Sequence, residues 1–192
     1  MQGKFILLIG PPGVGKRSLT EHIRIQFPEI TFPVSCTTRS PRPGEAQGYA
    51  YYFVSKEEFE RRIKNGEFLE WAAIDGGNLY GTLKSEILIP LNRGKMVFRE
   101  VEVQGMQKIQ KLIPRENLVI IFVDGGPWER LEKRILGRAP IHKDELEKRK
   151  ERYEYEITFK NRADYIVNNP DGALDNARRS IEEIIRTIVS KQ

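Results

Sequence analysis

The sequence predicts an α/β fold organised round a buried parallel sheet. Three observations carry that expectation. Phe5-Ile6-Leu7-Leu8-Ile9 is a short continuous apolar run bounded by glycine, as in a strand covered on both faces. Leu118 to Val123, LVIIFV, repeats that pattern in the second half of the chain. Both runs are followed by apolar residues at helical spacing: Leu19, Ile23 and Phe27 after the first, Trp128, Leu131 and Ile135 after the second.

Between the first strand and its helix stands Gly10-Pro11-Pro12-Gly13-Val14-Gly15-Lys16-Arg17-Ser18. Glycines let the backbone take positive φ and let an anion approach without meeting Cβ atoms. Successive N–H groups then converge, and the unpaired N–H groups of the helix start add a positive end. Lys16 supplies a mobile point charge for outer phosphates. Strand, G-x-x-x-x-G-K and helix together are the context of a phosphate-binding loop. The usual pattern places Ser or Thr directly after the lysine to reach Mg²⁺; here Arg17 stands there and the hydroxyl comes one place later, at Ser18.

At 192 residues the chain can form one domain with a real core and a small inserted subdomain. Hydrophobic residues at 39% and charged residues at 31% suit a globular chain in water. No apolar run approaches the ~18 residues of a membrane helix. The five apolar residues before Gly10 are too few for a secretory signal. The single cysteine, Cys36, precludes an internal disulfide and fits a reducing cytoplasm. With only His22 and His142 beside it, a zinc site is not expected. A net charge of +5 suits polyanions, and charge does not choose between nucleotides and nucleic acid. The aromatic-basic motif of a nucleic-acid reader is absent, so no such partner is expected. Nothing in the sequence speaks to oligomeric state.

Further along, Pro28 ends the first helix, and a short strand is expected at Val34 to Cys36. The segment Thr37-Thr38-Arg39-Ser40-Pro41-Arg42-Pro43-Gly44-Glu45 can continue neither helix nor sheet. It reads equally as a solvated basic loop or as two planar forks that grip one phosphate, with Glu45 as a nearby acceptor. Gly48 to Val54 is rich in β-formers and predicts a strand. Ser55 with Glu58 predicts a capped helix through Lys64, with Phe59 and Ile63 on one face. Glu67 to Trp71 predicts a strand and Asn78-Leu79-Tyr80-Gly81-Thr82 a turn. Residues 34–87 thus predict a small, mostly β insertion, with 1–33 and 88–192 forming the core.

Lys95 to Val103 predicts another core strand, with Glu100 and Glu102 near its carboxyl end, where α/β sheets bind ligands. Plain alternation on a half-exposed strand gives the same string. Met106, Ile109 and Ile113 mark the next helix. Arg130 to Arg152 is densely charged, either as a solvated helix face or as a flap whose arginines close over phosphates. Tyr165-Ile166-Val167 is a last strand before Asn168-Asn169-Pro170. Leu174, Ala177, Ile181, Ile184 and Ile188 form the core stripe of the final helix.

Taken in order, SCTTRSPRPGE, GEFLEW, NLYGT and EVEVQG make nearly the whole chain resemble the guanylate kinases. The hydroxyl one place on, at Ser18, is similar to the Gly-Lys-Gly-Thr loops of several nucleoside monophosphate kinases. The resemblance implies a P-loop three-layer fold, a GMP-binding subdomain at 34–87 and a helical lid at about 134–152. It implies transfer of a phosphoryl group from ATP to GMP with Mg²⁺. Ser35, Arg39, Arg42, Glu45, Tyr51, Glu70, Tyr80 and Thr82 would form the GMP site. Within it Arg39, Arg42, Tyr51 and Tyr80 would hold phosphate, and Glu70 and Ser35 would read guanine. Glu100 would lie near GMP and the metal, with Ser18 as the candidate metal ligand. Gly10 through Ser18 would bind ATP, Asn169 would fall in the loop that contacts adenine, and Lys16, Arg134, Arg138 and Arg149 would neutralise the transferring group. The related scaffold modules, which bind a phosphorylated protein segment, are the alternative. The sequence departs from the family pattern at Arg17, at Ala50 and Glu100, each where aspartate is usual, at Gly125-Gly126 and Ala139-Pro140, and at Pro90 inside an expected helix.

Overall fold

The computed structural model describes residues 3–49, 51–74, 77–137 and 141–190. Ala50, Arg138 and Ala139-Pro140, on which expectations were placed above, lie outside these residues. The chain divides into two compact units, Met1–Phe5 with Thr31–Val97, and Ile6–Ile30 with Phe98–Gln192.

The first apolar run is strand β1 (Phe5–Ile9), buried at every residue, and the loop after it delivers the chain into helix α1 (Lys16–Gln26). Leu19 and Ile23 face the core, as their spacing requires, and the helix stops before Pro28. In the smaller unit follow β2 (Cys36–Thr37), β3 (Tyr52–Phe53), α2 (Lys56–Lys64), β4 (Phe68–Ile74), β5 (Asn78–Leu83) and α3 (Ser85–Asn92). Then come β6 (Val97–Glu100), α4 (Val103–Ile109), β7 (Leu118–Asp124), α5 (Trp128–Leu136), α6 (Lys143–Ile157), β8 (Tyr165–Asn168) and α7 (Leu174–Val189).

The central sheet runs β6-β1-β7-β8, and β7 pairs with β8 in parallel, Ile121 opposite Tyr165 through Asp124 opposite Asn168. Its order makes every strand a neighbour of one distant in sequence, so the connections must cross over. Val101 continues from β6 by donating to Leu8 O at 3.0 Å. The stretches following β1 and β6 at their carboxyl ends therefore lie side by side, the region where such sheets present ligand sites.

The second sheet runs β3-β2-β5-β4 within the smaller unit. Its core is Cys36, Phe59, Phe68 and Leu79, with the Phe59 and Phe68 rings stacked 4.4 Å apart. Ser55 caps α2 as the sequence predicts, its hydroxyl accepting from the Glu58 N–H at 3.1 Å.

Several expectations need correction. Asn78 to Thr82 is a strand, not a turn, because Leu79, Tyr80 and Gly81 pair with β4 on one side and Tyr80 and Gly81 with β2 on the other. A Cβ at Gly81 would stand 2.9 Å from both Phe68 Cδ1 and Trp71 Cβ, so glycine marks close strand packing there. Among the described residues of Gly48 to Val54 only Tyr52 and Phe53 form ladder, parallel to β2, and β2 itself begins at Cys36 rather than Val34. Glu102 lies beyond the strand, at the N-cap of α4. Ile113 lies beyond the end of α4, though it is buried. On α7 Ile181 and Ile188 are buried as expected, but of the adjacent pair between them it is Ile185 that is buried, while Ile184 is only half-buried. Pro90 is accommodated inside α3. No helix among the described residues is long and apolar enough to cross a membrane.

Candidate active site

The glycine loop is built by three positive-φ glycines, Gly10 (φ 142), Gly13 (φ 85) and Gly15 (φ 92), the last serving as N-cap of α1. Val14, wholly buried between them, anchors the loop against Gly125, whose added Cβ would come within 3.1 Å of Val14 Cγ1. A side chain at 125 would also meet Leu131 Cδ2 at 2.5 Å, and Gly126 takes φ 88, which proline cannot adopt, so the Gly125-Gly126 departure fits this turn. Asp124 stiffens this turn, its Oδ1 accepting from the Gly126 N–H at 2.8 Å and its Oδ2 from Lys160 Nζ at 2.6 Å.

Lys16 Nζ is folded back onto the loop, donating to Gly10 O at 2.5 Å and to Pro11 O at 3.2 Å. Burial lowers its pKa below the usual lysine value, and the carboxylates of Glu100, Glu156 and Glu102 pull the other way. Glu100 ends β6 and reaches solvent, yet loss of hydration among the surrounding protein atoms raises its pKa against the pull of Lys16 and Arg17. Glu156 was missed in the sequence. It is 4% exposed on α6, a helix dominated by lysine, arginine and glutamate in which it is the one buried residue, so nothing in its residue type sets it apart from the solvated carboxylates around it.

Arg17 projects into solvent and pairs with Glu21 one turn on at 3.0 Å. Arg17 and Ser18 both border a hollow lined also by Pro12, Lys16, Glu21 and Glu100. A second hollow is lined by Gly13, Gly15, Arg134, Asn169 and Gly172. There Arg134 Nε meets Asp171 Oδ1 at 2.5 Å, and Asn169 turns its amide to the loop, Nδ2 to Val14 O at 2.7 Å. Arg149 is paired with Glu145 on its own helix.

The smaller unit gathers two further groups of side chains. Register does the first: Glu70 of β4 lies opposite Thr82 of β5, and the buried Thr82 hydroxyl meets that of Ser35 at 3.2 Å. In the second, Arg39 Nη2 binds both carboxylate oxygens of Glu45 at 2.9 Å, and Glu45 also accepts the Arg42 N–H at 2.7 Å. These bonds fold the 39–45 loop on itself. The Arg42 amide foremost holds the Glu45 carboxyl below its usual pKa; loss of hydration pushes the other way, and the Arg39 fork adds to the lowering. The Arg39 guanidinium lies 5.6 Å from the Tyr51 ring centre, and the Tyr51 and Tyr80 rings meet edge-on at 5.8 Å. The Arg42 side chain is exposed.

Such an arrangement offers a glycine loop with a half-buried lysine and, separately, a cluster of one guanidinium with two aromatic rings and a pair of hydroxyls with a carboxylate opposite in register. A sequence model described as guanylate kinase matches residues 2–188. The chain belongs to the guanylate kinase family. Among curated guanylate kinases it is 37% identical over 187 residues to that of Thermotoga maritima, covering 97% of this chain and 88% of that one. It is 39% identical to the guanylate kinase of Rubrobacter xylanophilus, covering 98% and 96%. The crystal structure of guanylate kinase from Anaplasma phagocytophilum superposes with a TM-score of 0.65 at 30% identity, covering 96% of this chain and 85% of that one.

Proposed function

We propose that the chain transfers the terminal phosphoryl group of ATP to GMP, giving ADP and GDP. The observation that carries this reading is Lys16 at the start of α1 inside a glycine cradle. A module that only binds a phosphorylated peptide has no use for such a lysine, whereas phosphoryl transfer consists largely of positioning and charge neutralisation. Gly10 through Ser18 hold the ATP phosphates, with Asn169 beside them, and Arg134, Arg138 and Arg149, within a lid at about 134–152, neutralise the transferring group. Residues 34–87 form the GMP-binding segment and the remainder the core. Arg39, Arg42, Tyr51 and Tyr80 take the GMP phosphate, Glu45 sets the Arg39 fork, and Ser35, Glu70 and Thr82 present acceptors and hydroxyls to guanine.

Mg²⁺ keeps several waters and takes only one or two protein ligands beside substrate phosphates. Ser18, lining the same hollow as Glu100, fits that modest demand. Bound there with ATP, the ion supplies charge neutralisation of the phosphate oxygens. The single cysteine suits the reducing cytoplasm we propose as the compartment.

A coupled assay of ADP release with GMP, AMP and UMP tests this reading. Turnover is expected with GMP alone, and intact GMP binding without turnover would instead indicate the binding module. Arg39→Ala should raise the KM for GMP roughly 100-fold through loss of a charged fork, with the KM for ATP unchanged. Steady-state titration of each nucleotide measures both.

A further inference from the structure

Asn169 stands immediately after β8, and its backbone N–H donates to Asp124 O at 2.7 Å. That bond extends the β7–β8 ladder by one residue and fixes where the side chain starts. The residue is 4% exposed, and its amide nitrogen donates to the Val14 carbonyl at 2.7 Å across 155 positions of sequence. The next loop residue is Gly15, at φ +92, where an added Cβ would stand 2.7 Å from that same nitrogen. The amide reaches the loop backbone because residue 15 carries no side chain.

Peptide geometry gives this contact its consequence. A trans peptide is planar, so its C=O and the following N–H point in opposite directions. Holding the Val14 carbonyl therefore sets the plane of the Val14–Gly15 peptide and the direction of the Gly15 N–H. We propose that Asn169 is a positioning residue of the phosphate cradle, clamping the Val14–Gly15 peptide so that the Gly15 N–H is aimed before the nucleotide arrives. This rests on reading residues 10–18 as the cradle for ATP phosphates. A donor already aimed needs no reorientation when the anion binds or when charge develops on it. The role differs from contact with adenine, which the family resemblance suggests for this loop. It is felt by the other half of ATP.

The two halves can be titrated separately, with tripolyphosphate and with adenosine as probes of wild type, Asn169→Ala and Asn169→Leu. Leucine is uncharged and close to asparagine in shape, so it keeps the site filled if alanine leaves a destabilising hole, yet it carries no donor. Tripolyphosphate should bind roughly tenfold more weakly to both variants, the loss of one hydrogen bond to a buried carbonyl. Adenosine affinity and the KM for GMP should not move, while kcat/KM for ATP falls with tripolyphosphate affinity. Loss confined to adenosine would overturn the proposal in favour of base contact. So would unchanged affinity for both probes, or an equal loss of both accompanied by a lowered Tm, which marks general damage. Wild-type protein that binds adenosine but no tripolyphosphate would overturn the cradle reading itself, and this inference with it.

Discussion

Lys16→Ala should lower kcat for GMP phosphorylation roughly 1000-fold while leaving the protein folded. Among the described residues the ammonium donates to Gly10 O and Pro11 O, both on the loop that carries it, so its removal breaks no hydrogen bond between elements of the fold. Desolvation already works against its charge, and the nearby carboxylates of Glu100, Glu156 and Glu102 work to keep it. A half-buried cation held charged at that cost of hydration is worth retaining where a phosphate will replace the loop carbonyls as its partner. With ATP in place the cation would face charge that spreads over the phosphate oxygens as transfer proceeds, a contribution that a water molecule entering the alanine site cannot supply. The coupled ADP-release assay gives kcat, and a thermal melt gives the fold; activity within tenfold of wild type would remove Lys16 from the mechanism. Weaker ATP binding with kcat unchanged would restrict it to holding the ground state.

Much of this site could be read in the chain because its signals are local. An apolar run, closely spaced glycines and a helical period fix β1, the loop and α1 within a single stretch of sequence. Ser55 and Glu58 are three apart and meet as a cap for the same reason. The acceptor groups were recognised by resemblance, and their assembly was not legible in composition. Glu70, Thr82 and Ser35 meet through strand register, which depends on pairing partners rather than on neighbours in sequence. The same blindness turned β5 into a turn: Asn78 and Gly81 are local turn formers, and two flanking strands override them. Adjacent isoleucines at 184 and 185 leave a 3.6-residue period unable to say which faces inward. Glu156 gave no signal at all, and Asn169, named only by resemblance, gave none of its bond to Val14, since a polar side chain is assigned a buried partner only by the fold.

Gly10→Ala should cost about 2–6 kcal/mol of stability, far more than one methyl group at most surface sites, and should abolish ATP binding with it. Two separate strains combine. The backbone at residue 10 has φ +142, a conformation side chains rarely adopt, worth about 1–3 kcal/mol. The new Cβ would also stand 2.5 Å from Val123 O and 3.3 Å from Val123 N, both backbone atoms of the adjacent strand β7. A backbone strand cannot rotate away as a flexible side chain can, so relief requires β1 and β7 to separate where the cradle begins, about 1–3 kcal/mol more. Gly44→Ala is the matched control: its φ is +85, but nothing lies within 4 Å of the added carbon, so it should lose only the conformational share. Urea unfolding of both variants separates the contributions, with the midpoint of Gly10→Ala expected well below that of Gly44→Ala. Equal midpoints would mean that the close approach of Gly10 to Val123 carries no weight, and that the loop tolerates a side chain where the strand hands over to the cradle.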